Sequence, residues 1–339
     1  MRAPDFWYRP DGAVSRILSP LGALYGWATA HRLGRARPKA RGQAVSVPVI
    51  CVGNIDVGGS GKTPTVIAVI EMLGARGVNA HVISHGYGGR ASDPLRVDPR
   101  KHTAQDVGDE ALLLAAFGPV WVAQDRAAAA RAAIADGAGA IVLDDGFQDP
   151  SLAASLSIVV VDATRGFGNA RCIPAGPLRE PVAAGLGRAD VLLSVGSPRA
   201  QGVFGDQWRA SITAAGVAHV TGRLDPLQTG MDWRETPFLA FAGIGNPAKF
   251  FATLRGLGAE LVHAEGLADH QPLTPSLMAR LERDAARHGA QLVTTEKDAV
   301  RLPSSWRQKV ITLPVRLRLD DAAPINDAFA RVFNASGPG

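Results

Sequence analysis

A doubly wound α/β fold, with a parallel sheet covered on both faces, is predicted by three observations. Short β-rich runs alternate with helical stretches from Val45 onward, each run is almost continuously apolar, and a Gly-rich turn, Gly58-Gly59-Ser60-Gly61, follows the first of them. A strand buried on both faces has no polar side to show, so it reads as unbroken Val, Ile and Leu rather than as an alternation. The runs are 47–52, 80–84, 140–143, 157–161 and 191–195, and helical patterns lie near 62–73, 109–117 and 126–135. That order is what βα units wound onto one sheet look like.

The second half is organised differently. Residues 199–234 hold little helical periodicity, and two β-like runs, 208–213 and 218–222, flank Gly216 and read as a hairpin linker. A smaller α/β unit follows, with strands near 238–241, 260–263 and 291–295 and helices near 247–257 and 275–287. A late strand at 310–313 is expected to return to the linker. The expected organisation is an N-terminal helix and basic segment (1–41), a P-loop domain (42–205), a two-stranded linker (206–234) and a second, smaller α/β domain (235–333).

Composition bounds the function. With 339 residues, 46% of them hydrophobic and 20% charged, the chain can bury a large core, which excludes intrinsic disorder. Two cysteines, Cys51 and Cys172, exclude a disulfide framework and a four-thiolate zinc site and fit a reducing compartment. A net charge of +5 is a small field for this length, and the basic excess gathers near the N-terminus, so no nucleic-acid partner is expected. A monomer is expected.

The uncharged run 17–30 contains Pro20 and falls short of the ~20 apolar residues of a spanning helix. Asp5 and Asp11 precede it, unlike the basic start of a signal peptide, so a cytoplasmic chain is expected. After Pro20, which suits a first helical turn, Leu21, Leu24, Tyr25 and Ala28 recur at helical spacing beside Trp27. Arg32, Arg35, Arg37, Lys39 and Arg41 follow with no acid among them. The segment reads either as a helix packed on the core with a solvated basic linker, or as an interfacial element on an anionic leaflet.

The strongest local signal is Gly58-Gly59-Ser60-Gly61-Lys62-Thr63-Pro64 between a buried strand and a helix, which resembles a Walker A loop. Backbone N–H groups of such a loop cradle phosphates, Lys62 would reach the β- and γ-phosphates, and the Thr63 hydroxyl would ligate Mg²⁺. Asp56 stands where the strict pattern has its first Gly. The run 140–143 ends in Asp144-Asp145-Gly146, placing carboxylates at the C-terminal edge of a strand, where Mg²⁺ or a turn would account for them. Asp109-Glu110 opens an apolar helix, where acids complement the dipole. Arg179 lies in the Pro-rich segment Pro174-Ala175-Gly176-Pro177-Leu178-Arg179-Glu180, a rigid loop in which an Arg can meet phosphate bidentately.

These motifs together resemble the tetraacyldisaccharide 4'-kinase family of lipid A biosynthesis, from the N-terminal helix to about Leu313. The markers are Val52-Gly53-Asn54 leading into Gly58–Pro64, Ser84-His85-Gly86-Tyr87-Gly88-Gly89, Gly108-Asp109-Glu110, Asp144-Asp145-Gly146-Phe147-Gln148 and the 174–180 segment. Phe241-Ala242-Gly243-Ile244-Gly245-Asn246-Pro247, Asp269-His270 and Thr294-Thr295-Glu296-Lys297-Asp298 complete the series. His85, Ala111, Asp149 and Gln271 depart from the family's usual Arg, Pro, His and His. The resemblance implies an ATP- and Mg²⁺-dependent kinase acting on the 4'-hydroxyl of an acylated disaccharide 1-phosphate glycolipid. It implies Asp109 as general base with His270 orienting it or sharing its proton, and Lys62 and Arg179 neutralising the transferring phosphoryl group. Glu110, Asp144 and Asp145 would serve the metal, Asp145 first. Such a substrate stays in its bilayer, so the resemblance also places the chain peripherally at the anionic cytoplasmic face of the inner membrane. The alternative is a membrane-surface P-loop ATPase switch, although Val57 sits where such ATPases often carry a Lys.

Overall fold

The computed structural model describes residues 4–9, 12–34, 43–86, 93–269 and 271–334. His270, Tyr87, Gly88, Gly89 and the basic residues Arg35, Arg37, Lys39 and Arg41 lie outside them. The strands are β1 (Val49–Gly53), β2 (Ala80–Ser84), β3 (Leu95–Arg96), β4 (Val120–Val122), β5 (Ala140–Asp144), β6 (Leu156–Asp162), β7 (Val191–Val195), β8 (Ala218–Pro226), β9 (Phe238–Ala242), β10 (Leu261–Gly266), β11 (Gln291–Thr295), β12 (Val310–Leu313) and β13 (Val315–Leu319). The larger sheet runs β13-β8-β7-β6-β1-β5-β2-β4-β3, and the smaller β10-β9-β11-β12.

From β8 to β4 the larger sheet is parallel, with antiparallel β13 and β3 at its edges. Its strands bury alternate residues in two cores: Ile50, Val52, Ile158 and Val160 in one, Val49, Cys51, Val159 and Val161 in the other. This is the doubly covered parallel sheet that the unbroken apolar runs predict. The smaller sheet is wholly parallel and likewise has a core on each face.

The helices are α1 (Ala13–Gly34), α2 (Lys62–Gly74), α3 (Ala104–Val107), α4 (Asp109–Leu114), α5 (Arg126–Ala135), α6 (Val182–Leu186), α7 (Pro198–Ala215), α8 (Pro247–Gly256), α9 (Pro275–Arg287), α10 (Glu296–Ala299) and α11 (Ala323–Asn334). Three sequence expectations need correction. The 208–213 run is not a hairpin strand but the C-terminal part of α7, and the expected boundary at 205 falls inside that helix. Ser197 caps its start, Pro198 occupies the first turn, and Gly216 ends it in the left-handed region at φ 64°, so the stop and start signals outweigh the β-like composition. Residues 310–313 do not return to the linker: β12 is an edge of the smaller sheet, and β13 returns instead, pairing antiparallel with β8. Finally, α1 begins well before Pro20 and carries it inside.

Tertiary contacts sustain the turns of α1 ahead of the proline. The Ser15 hydroxyl donates to the Ala175 carbonyl at 3.0 Å and accepts from Asn169 Nδ2 at 2.9 Å. Further along, Gly22 and Gly26 let the helix lie directly on the 172–175 loop, since a Cβ at Gly22 would stand 2.7 Å from the Cys172 carbonyl oxygen. Along Ser15, Gly22 and Gly26 the inner seam of α1 is therefore small, and several large apolar side chains point outward (Ile17 is 76% exposed, Leu24 62% and Trp27 64%), whereas Leu33 near the end of the helix is buried. No helix among the described residues is long and apolar enough to cross a membrane.

Candidate active site

The C-terminal edge of the larger sheet is where an open α/β sheet binds its ligands, and the polar side chains gather there. After β1 the chain turns through buried Asn54, whose Nδ2 donates to the Gly58 carbonyl at 3.4 Å and the Ser60 hydroxyl at 3.2 Å. Gly61 reaches φ 97°, a conformation costly for any residue with a Cβ, and so turns the loop into the N-terminus of α2. Lys62, Thr63 and Pro64 form the first turn of that helix, where Pro forfeits no intrahelical bond.

A second segment holds the loop from the side. Val57 N donates to the Pro177 carbonyl and Arg179 N to the Ile55 carbonyl, each at 2.8 Å. Thus the Pro-rich stretch that rests against α1 is also bonded to the phosphate loop, and it delivers Arg179 to that loop. Asp145 follows β5 in a left-handed conformation, φ 50°, which a short polar side chain tolerates better than most. Its carboxylate lies 3.8 Å from Lys62 Nζ and 3.4 Å from Arg179. Gln148 accepts from Arg179 at 3.0 Å and donates to Glu180 at 3.1 Å.

Asp144 is buried and accepts from the Ser84 hydroxyl at 3.2 Å. Burial raises its pKa well above the ordinary carboxylate range, and the negative charges of Glu110 and Asp145 add to this against Lys62 and Arg126. Among the described residues no three His, Cys, Asp or Glu side chains converge as a protein-built metal cage. Magnesium seldom uses one, because it prefers one or two carboxylates completed by phosphate oxygens and water. An excess of carboxylates at the mouth of a phosphate loop is the donor chemistry that ion requires.

Asp109 and Glu110 open α4 and meet the smaller domain. Asp109 is 5% exposed; its Oδ1 accepts from Glu110 N at 2.9 Å, and its Oδ2 lies 3.6 Å from Arg301 Nε. Glu110 pairs with Lys297 at 3.1 Å. Burial opposes the Lys297 ammonium, but Glu110 and Asp109 outweigh it and raise its pKa. Of the residues expected from sequence, then, Lys62, Asp145 and Arg179 are brought together. Asp144 lies beside them, Asp109 and Glu110 face the second domain, and His270 falls outside the described residues. Arg301 and Lys297 escaped notice as site residues, because their roles come from the other domain's acids rather than from any local pattern.

Asp56 is nearly fully buried, and its Oδ1 has no hydrogen-bond partner among the described residues. Burial pushes its carboxyl up to about 6 from 3.8, Asp162 adds to this, and Lys62 and Arg179 pull it down. The folded state thus holds this proton more tightly than the unfolded chain. The group's stabilising contribution is full below pH ~4 and is lost as pH rises to about 6. Asp56→Asn should therefore be more stable than the parent at pH 8, by at most about 3 kcal/mol at 1.36 kcal/mol per pKa unit, with the gap closing near pH 4. Melting curves across that range test this; a difference that does not vary with pH would refute it.

The comparisons agree with this architecture. A family model described as tetraacyldisaccharide-1-P 4'-kinase matches residues 14–334. The tetraacyldisaccharide 4'-kinase of Jannaschia sp. (strain CCS1) is 59% identical over 333 residues, spanning 98% of this chain and 99% of its own. That of Dinoroseobacter shibae is 58% identical over 337 residues and spans 98% of both chains. A crystal structure of the "apo" form of LpxK from Aquifex aeolicus, in complex with ATP, matches with a TM-score of 0.75 over 94% of this chain and 99% of that one; at 24% identity the likeness speaks for the fold. A match running from α1 to the end of α11, carried by relatives of almost the same length, leaves one assignment: this chain belongs to the tetraacyldisaccharide-1-P 4'-kinase family.

Proposed function

We propose that this chain transfers the γ-phosphoryl group of ATP to the 4'-hydroxyl of an acylated disaccharide 1-phosphate, at a membrane surface. The observation that carries this is the convergence of Lys62, Asp145 and Arg179 on the phosphate loop, with Asp109 presented from α4 at the junction of the two domains. The family's printed name supplies the acceptor, and the ATP complex of the Aquifex relative supplies the donor.

Thr63 and Asp145, together with Asp144 and Glu110, would hold Mg²⁺, which would supply positive charge against that of the phosphates. The protein's own groups do the rest. Lys62 and Arg179 offset the charge that spreads over the transferring group, a term that dominates this chemistry. Asp109 accepts the proton of the attacking hydroxyl as its oxygen bonds to phosphorus and the bond to the β-phosphate oxygen breaks, releasing ADP. His270 orients Asp109 or shares that proton. Contacts across the domains, Lys249 with Asp162 at 3.8 Å and Lys297 with Glu110, close the junction so that water competes poorly with the sugar hydroxyl.

The outward face of α1 supports the membrane reading. Ile17, Leu21, Leu24 and Trp27 are exposed, and burying each in the acyl boundary gains roughly 1.5–3 kcal/mol over leaving it in water. One experiment tests both halves: labelled ATP, Mg²⁺ and the acylated acceptor in sedimentable anionic vesicles. The expected result is a 4'-phosphorylated lipid with the protein in the pellet. ATP hydrolysis without transfer would favour the ATPase switch, and transfer by protein left in the supernatant would remove the membrane role.

A further inference from the structure

Arg301 lies just beyond α10 and is 8% exposed at its side chain, yet it reaches four segments of the chain. On its own domain, its NH2 group contacts Asp298 and donates to the Gly243 carbonyl at 3.3 Å, and NH1 donates to the Gln271 carbonyl at 3.0 Å. Asp298 is itself fully buried and accepts from Gly243 N at 3.1 Å and from the Thr295 hydroxyl at 2.7 Å. The guanidinium is therefore fixed from behind. Its Nε faces the other domain, 3.6 Å from Asp109 Oδ2.

Lys297 on α10 and Arg301 in the turn that follows it stand four residues apart, and the acids opposite them, Glu110 and Asp109, are neighbours in sequence. Across the junction Lys297 pairs with Glu110 and Arg301 with Asp109, two adjacent pairs that set the register of the two domains as well as attracting them.

We propose that Arg301 is a positioning residue for the phosphoryl transfer: anchored by Asp298, Gly243 and Gln271, it holds the Asp109 carboxylate in place across the domain junction. The assignment rests on the kinase reading with Asp109 as base. A base must sit within hydrogen-bond reach of the proton it takes, and small misplacements are costly in rate. Within its own helix turn the Glu110 N–H holds Asp109 Oδ1, and Oδ2 faces the Arg301 guanidinium across the junction. A planar guanidinium already held at three points loses little freedom in aiming it.

The test measures kcat and the KM for ATP of Arg301→Gln and Arg301→Lys in the vesicle assay, each also in an Asp109→Asn background. Arg301→Gln should lower kcat about 10–100-fold with little change in KM, as expected of a group that acts by placing another. Arg301→Lys should recover part of the loss by restoring the charge without the fork. Once Asp109 is Asn, replacing Arg301 should cost little more, because two residues acting as a unit are not additive. An equal fold-loss in both backgrounds would assign Arg301 a structural role only, and an unchanged kcat would overturn the proposal. Should Arg301→Gln fail to fold, Asp298→Asn, which removes an anchor and keeps the arginine, is read through the same cycle with the same criteria. A parent chain that transfers no phosphate would refute the kinase reading instead, so the two failures are distinguishable.

Discussion

Asp109→Asn is expected to lower the rate of phosphoryl transfer by about 10²–10⁴-fold, the range that general-base catalysis contributes, while ATP binding stays nearly unchanged. The asymmetry follows from position. Lys62 and Arg179 lie around Asp145, whereas Asp109 opens a different helix and faces Arg301. Asn is isosteric and retains the bond from Glu110 N to Oδ1. It removes the carboxylate proposed as the base and sets an amide beside the Arg301 guanidinium, which keeps Asp298 as its counter-charge, so the fold should survive. Single-turnover rates and ATP titrations on the same preparation measure both quantities. Normal transfer would exclude Asp109 as base, and a parallel loss of ATP affinity would assign it to nucleotide binding.

What was legible in the sequence was whatever local chemistry determines. The runs that became β1, β2, β5, β6 and β7 were readable because a parallel strand under two layers of helix tolerates nothing polar, and the Gly-rich turn was readable because φ 97° at Gly61 demands glycine. By contrast β4 is three residues long, too short for periodicity to speak. The alternation of β13, Val315-Arg316-Leu317-Arg318-Leu319, fits a half-covered edge strand, but it follows the apolar run of β12 after one residue and carries no local mark of the larger sheet that it joins. At the site, the acids and Lys62 stand at strand and helix ends where motifs mark them. The Lys297 and Arg301 side chains take their meaning from acids nearly two hundred residues away, a distance over which no periodicity reports.

Arg188→Met is expected to destabilise the larger domain by about 3–5 kcal/mol, the scale for removing one partner of a buried ion pair. Glu180 is fully buried, and both its oxygens take Arg188 NH2, at 2.6 and 2.7 Å, with Gln148 Nε2 adding a bond at 3.1 Å. Arg188 also lies over the Phe147 ring, 4.2 Å from its centroid, and donates to the Phe147 carbonyl at 3.2 Å. Methionine keeps the apolar stem and removes the charge, so the loss measures the carboxylate left without its cation, not a cavity. The damage should reach the site, because Glu180 follows Arg179 directly and Gln148 joins the two. Replacing both partners, Glu180→Gln with Arg188→Met, should recover a large part of the lost stability, since exchanging both members of a buried pair costs far less than stranding one. Urea or thermal melts of the two variants beside the parent decide it. If Arg188→Met melts like the parent, the pair does not hold this turn; if the double variant is less stable than the single, the stranded charge is not the cause.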